Sequence, residues 1–197
     1  VDVEKGIVLG LANIPAFQHV ELGKFLTERI GKPIFINNDA NCFALGVHKF
    51  GVGKKYKNLV GITLGTGVGG GIVINGHLYS GVNSAAGEWC SAPYLDHNFE
   101  HYCSGKFFHN NYQTKPKAMA KKAMAGDPEA IQAFEEFGHH LGELIKHILY
   151  ALAPEAIVLG GSIRKTFPLF QKSLYRSLES FGYPTVLEHL KILLSEL

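Results

Sequence analysis

Residues 59–79 read LVGITLGTGVGGGIVINGHLY, and no other stretch limits the local fold as tightly. Three consecutive glycines at 69–71, the β-branched residues after them and the Asn75-Gly76 pair all oppose a helix. Leu59–Leu64 therefore reads as one strand and Gly71–Ile74 as a second. Asn75-Gly76 is a hairpin turn into a third strand at His77–Tyr79. The glycines at 65, 67 and 70 also satisfy the dinucleotide pattern G-x-G-x-x-G. That fingerprint needs its glycine turn to open a helix whose N-terminus faces the pyrophosphate, and here a strand follows. Two main readings remain, with a nicotinamide site well behind them. One is a tight hairpin without a ligand; the other is a hairpin whose backbone N–H groups and Thr66 hydroxyl gather around a phosphate.

The rest of the chain alternates helical and strand patterns, which predicts an α/β fold. Residues 20–31 place Val20, Phe25, Leu26 and Ile30 near helical spacing, with Gly31 as the stop. PIFIN (33–37) reads as a short buried strand that delivers NNDAN (37–41) at its carboxyl end, where open α/β sheets hold ligands, and CFALGVHKF continues as a helix. Residues 81–105 are glycine- and aromatic-rich and predict loop with short helical pieces. Asp127-Pro128 starts a long amphipathic helix whose apolar face carries Ile131, Phe134, Leu141, Ile145, Ile148 and Leu152, and Pro154 ends it. AIVLGG (156–161) is a buried strand, residues 168–181 a helix, and KILLSEL (191–197) an apolar helical pattern.

Composition excludes several classes. In 197 residues no apolar run approaches the roughly 20 needed to span a bilayer, and the start carries no leader pattern, so a soluble, cytoplasmic protein is expected. Cys42, Cys90 and Cys103 are odd in number and form no C-x-x-C pair, which suits a reducing compartment. A formal charge of +2 without a basic stripe gives no electrostatic footprint for nucleic acid.

Several polar residues stand out. Asp39 at a strand-to-helix junction is by itself either an N-cap or a catalytic carboxylate. Glu88 and Glu100 lie in the irregular segment and are solvated loop acids unless a ligand needs them. His97, Glu100, His101 and Cys103 also invite a metal reading, although no cysteine pair has structural-zinc spacing. Gly160-Gly161 after a buried strand either caps the sheet or lets a flat ring lie on bare backbone.

Taken in order, LANIPAF, NNDANCFALG, LVGITLGTGVGGGIVINGHLYSG, AAGEW, EHYCSG and IVLGGSI resemble the ROK family of sugar kinases and related repressors, within the hexokinase and actin superfamily. The resemblance runs from about residue 6 to the end. It implies a ribonuclease-H-like fold of the actin and hexokinase type, with residues 1–49 the remnant of a truncated first lobe and 50–197 the C-terminal lobe. Asp39 then matches the base that deprotonates the sugar hydroxyl attacking the γ-phosphate of ATP. Asn38, Glu88 and Glu100 match sugar ligands, as does the position of Ser91. Gly65, Thr66, Gly67, Gly69 and Gly70 match the phosphate hairpin, and Gly160 and Gly161 the turn beside adenosine. The implied activity is hexose phosphorylation with ATP and Mg²⁺, glucokinase-like, in a homodimer. The alternatives are a sugar-responsive repressor, which would bind nucleic acid through a preceding helix-turn-helix, and a non-catalytic sugar-binding member.

Departures from the family pattern carry their own expectations. GEWCS places Cys90 and Ser91 where the family's G-E-x-G-H has glycine and histidine, and the cysteine-rich zinc loop is replaced by PYLDHNF. No structural zinc is expected. The family's N-terminal D-x-G-x-T strand-turn-strand and its C-terminal closing helix do not occur in these residues. The chain is therefore expected to be a piece of a longer protein, and to phosphorylate poorly by itself.

Overall fold

A computed structural model describes residues 1–10 and 14–197, so Leu11, Ala12 and Asn13 of the LANIPAF segment lie outside the described residues. Two helices open the chain: α1 at Leu22–Ile30, closed by Gly31 in the left-handed region, and α2 at Asp39–Lys49. The glycine-rich stretch forms β1 (Leu59–Leu64), β2 (Val68–Ile74) and β3 (His77–Tyr79) as an antiparallel meander. Irregular chain follows, with a small hairpin of β4 (Pro93–Tyr94) and β5 (His97–Asn98). Then come α3 (Phe99–Cys103), α4 (Gly105–Tyr112), α5 (Pro116–Met124) and the long α6 (Pro128–Leu152). The chain ends with β6 (Ala156–Gly160), α7 (Phe167–Leu178), α8 (Pro184–His189) and β7 (Lys191–Leu194).

The principal sheet has the order β3-β2-β1-β6-β7, with β6 parallel to both β1 and β7. Side chains alternate across it. Leu59, Val73, Ala156 and Val158 face α2, where Ala44 and Val47 complete a small core. Val60, Ile62, Leu64, Ile157 and Leu159 face the opposite side, where α3–α7 bring a larger core that includes the buried rings of Phe99, Phe107, Phe108, Phe134, Phe137 and Phe170. Among the described residues the sheet thus lies between α2 on one face and the α3–α7 mass on the other.

Four expectations need correction. PIFIN forms no strand: residues 33–38 have no ladder partner among the described residues, and Phe35 is 91% exposed. KILLSEL is not helical. Its first four residues form β7, because the open edge of β6 offers a ladder that so short an apolar run cannot match with helical turns. On α6, Ile131 lies outside the buried face at 43% exposure, whereas Phe134, Leu141, Ile145 and Ile148 are fully buried. Strand β2 begins at Val68 rather than Gly71, so Gly69–Gly71 are strand residues and only Gly65–Gly67 make the turn.

Those strand glycines are explained by packing on both faces. A Cβ on Gly71 would lie 2.7 Å from the Ala44 Cβ of α2, and one on Gly69 2.9 Å from the Ala40 Cβ. On the opposite face, a Cβ on Gly70 would meet the Gly87 carbonyl oxygen at 2.5 Å and the Trp89 ring at 2.8 Å. Gly65 has open space at the same position. Gly71→Val should therefore lower stability by about 1–3 kcal/mol in chemical unfolding, the usual range for overpacking. Gly65→Ala should stay within about 0.5 kcal/mol of the parent.

Helix α3 is braced from behind. Tyr94 stacks on Phe99 with centroids 4.3 Å apart, and its hydroxyl lies 3.0 Å from His140 Nδ1 on α6. Burial is the main cause that holds His140 down to about 4, with the neighbouring His139 adding to it. Above its ordinary value near 6.5 the imidazole is neutral folded or unfolded and contributes no pH dependence. Between that value and about 4 only the unfolded chain takes the proton, so stability falls with acid. His140→Gln should show a smaller drop in unfolding midpoint between pH 7 and pH 4.5 than the parent.

Candidate functional site

Asn38, not Asp39, caps α2. The Asn38 Oδ1 accepts from the backbone N–H of Ala40 at 2.8 Å and of Asn41 at 3.2 Å. Asp39 is the first helical residue, exposed, with Oδ1 accepting from the Ala40 N–H at 2.9 Å. The capping explanation for Asp39 is thereby removed. Its carboxylate sits at the positive end of the α2 dipole, where a negative charge is favoured. Neighbouring Asn37 fixes the approach, its Oδ1 accepting from the Asn38 N–H at 2.8 Å and from Asn41 Nδ2 at 3.3 Å.

Across β2, Gly87 packs on Gly70 and leads directly to exposed Glu88. Glu88 Oε2 lies 3.5 Å from Cys90 Sγ, and Ser91 Oγ 3.7 Å from the same sulfur. Burial raises the Cys90 thiol, against a lowering hydrogen bond from Ser91, and the carboxylates of Glu88 and Glu100 raise it further. Both acids thus act on one thiol. Glu100, in the first turn of α3, turns toward the glycine hairpin. Its Oε2 accepts from the Val68 N–H at 3.4 Å, and its Oε1 is 2.5 Å from Lys106 Nζ. A Cβ on Gly67 would collide with this carboxylate, so the glycine there makes room for Glu100.

Beside the hairpin lies a cavity of about 900 Å³ at the carboxyl ends of β1 and β6. Gly65 and Thr66 line one side, Ser162, Ile163 and Lys165 another, and α4 and α5 close it with Lys106, Ala120 and Met124. Five lysines (106, 115, 117, 121 and 165) border the space, and no carboxylate does among the described residues. Such walls suit a ligand with a polyanionic end and an apolar end.

Of the hairpin residues singled out in the sequence, Gly65 and Thr66 border this cavity while Gly69 and Gly70 are covered within β2. Gly160 abuts the Phe43 ring and Gly161, at φ +77°, the Leu64 carbonyl; the residues after them reach the cavity. The four candidate metal ligands diverge. Glu100 faces the hairpin, Cys103 is fully buried, and His97 and His101 stack with centroids 4.0 Å apart. No group of three or more potential ligands poised for a metal ion occurs among the described residues.

The lysine border was missed from sequence. Lys117 and Lys121, four apart in KPKAMAKKAMAG, would have shown one charged face had that segment been read as the helix it forms, with Pro116 in its first turn. No helix among the described residues is long and apolar enough to cross a membrane.

The ROK family model matches residues 1–193. The chain is 31% identical to the xylose repressor of Bacillus spizizenii, over 92% of this chain and 51% of that protein. It is 32% identical to the N-acetyl-D-glucosamine kinase of Photobacterium profundum, over 87% of this chain and 65% of that protein. Among solved structures, a ROK family glucokinase from Streptomyces griseus in complex with glucose and AMPPNP superposes with a TM-score of 0.85 at 24% identity, covering all of this chain and 73% of the other. The chain spans about half the length of the first of these relatives, and its fold is the α/β, actin and hexokinase type that the sequence resemblance implied. By the extent of the family match, this chain belongs to the ROK family.

Proposed function

We propose that the intact protein is an ATP-dependent hexose kinase, with glucose the leading substrate and Asp39 the base. The observation that carries this reading is the juxtaposition of two sites along one hairpin. A lysine-bordered cavity opens on Gly65 and Thr66, and Glu100 leans on Gly67 and Val68 of the same turn. The donor phosphates would lie in the cavity beside Thr66, with the adenine over the Ser162 end. The open space over Gly65 fits phosphate oxygens, which need close approach to backbone. Mg²⁺ would be held chiefly by phosphate oxygens and water, as is usual for this ion.

On this reading Asn38, Asp39, Glu88 and Glu100 accept or position sugar hydroxyls, and Ser91 stands beside them without the reach of an imidazole. Asp39 takes the proton of the attacking hydroxyl as the oxygen bonds to the γ-phosphorus and the bond to the ADP oxygen breaks. Residues 1–49 would belong to a first lobe and 50–197 to a second, with the cleft closing between them to exclude water. The protein would act in the cytoplasm as a homodimer.

The xylose repressor match favours one second reading, sugar-responsive repression by the intact protein. A coupled kinase assay on the intact protein across glucose, mannose, fructose, allose and N-acetylglucosamine separates the two. The kinase reading predicts ATP-dependent turnover of at least one hexose, and a fall in kcat of about 10²- to 10⁴-fold in Asp39→Asn with sugar binding retained. Near-normal turnover in that variant removes Asp39 from the role of base. Sugar binding with no turnover in the parent, joined to sugar-released DNA binding, establishes the repressor.

A further inference from the structure

Lys106 belongs to both halves of the site. Its ammonium lies 2.5 Å from Glu100 Oε1, and the same residue borders the cavity on which Gly65 and Thr66 open. It is also placed against local preference. It stands in the first turn of α4, whose first turn contains no acid, so its cation sits near the positive end of that helix. Helix α4 is fixed to the hairpin as well: the Gly105 N–H donates to the Gly65 carbonyl at 2.8 Å, and Ser104 Oγ accepts from the Lys106 N–H at 3.1 Å. The side chain is about half exposed and Glu100 about a quarter, so the ion pair is weak enough to exchange partners.

From this shared cation we infer that Lys106 is a positioning residue that couples phosphoryl-donor binding to sugar binding. The inference rests on the kinase reading. With the cavity empty of anion, Lys106 occupies Glu100 Oε1 and competes with a sugar hydroxyl for it. A polyanion in the cavity draws the ammonium toward the phosphates, and Glu100 then accepts from the sugar without a competitor. The converse holds by linkage: a sugar hydroxyl on Glu100 releases Lys106 toward the cavity and tightens donor binding by the same factor. The other four bordering lysines attract the anion, but none of them pairs with Glu100 among the described residues.

The test is calorimetric titration of the intact protein with glucose and with N-acetylglucosamine, each with and without saturating AMPPNP and Mg²⁺, so that no turnover is needed. The parent should bind the sugar about fivefold more tightly with AMPPNP present, near the low end of measured couplings. In Lys106→Met the sugar should bind without AMPPNP at least as tightly as in the parent, and AMPPNP should change that affinity less than twofold. Lys106→Gln should behave like Lys106→Met. Lys121→Met should weaken AMPPNP binding yet keep the coupling. Coupling of equal size in the parent and both Lys106 variants overturns the role of Lys106 and leaves the kinase reading intact. Failure of the parent to bind AMPPNP at all overturns both.

Discussion

The structure depends on three consecutive residues without side chains, Gly69–Gly71, inside one strand. Over Gly69–Gly71, β2 exposes bare backbone on both faces, so α2 settles against it from one side and the Gly87–Trp89 turn from the other. A single Cβ at any of the three positions would meet an atom of a neighbouring element at under 3 Å. This close approach hangs two sequence-distant acids, Asp39 and Glu88, from opposite faces of one strand. The turn that precedes it then receives Glu100. The poor strand propensity of glycine is offset by ladder bonds to β1, a strand buried along almost its whole length.

Charge is distributed with a matching logic. Asp39, Glu88 and Glu100 are not among the residues that line the cavity, while five lysines border it. Lys106 is where the two fields meet. On the proposed reading a sugar would present its hydroxyl donors to the carboxylates and a nucleotide its phosphates to the lysines, so this separation would give each ligand its own side of the hairpin.

Much of this was legible in the chain itself. The meander from Leu59 to Tyr79, the Asp127-Pro128 helix start and the buried strand at 156–160 followed from turn chemistry and periodicity, which are local properties. What failed was non-local. PIFIN has strand composition but no partner among the described residues, and KILLSEL became a strand only because β6 left an edge beside it. The role of the glycines was half legible. Their opposition to a helix was plain, but which ones open on a cavity and which are covered by packing depends on α2 and Gly87, far away in sequence. That His97, Glu100, His101 and Cys103 diverge was equally illegible, since spacing says nothing about where Glu100 turns. The α5 lysines went unread because scattered charges look like a solvated surface until a fold gathers them.

The central claim is that one glycine hairpin separates a sugar site from a phosphate site. A crystal structure of the intact protein with AMPPNP, Mg²⁺ and its best hexose tests this most directly. The account predicts phosphate density against Gly65 and Thr66 in the lysine-bordered cavity, with the sugar held by Asn38, Asp39, Glu88 and Glu100. Phosphate density away from that hairpin, or a sugar that leaves Asp39 and Glu100 untouched, contradicts it.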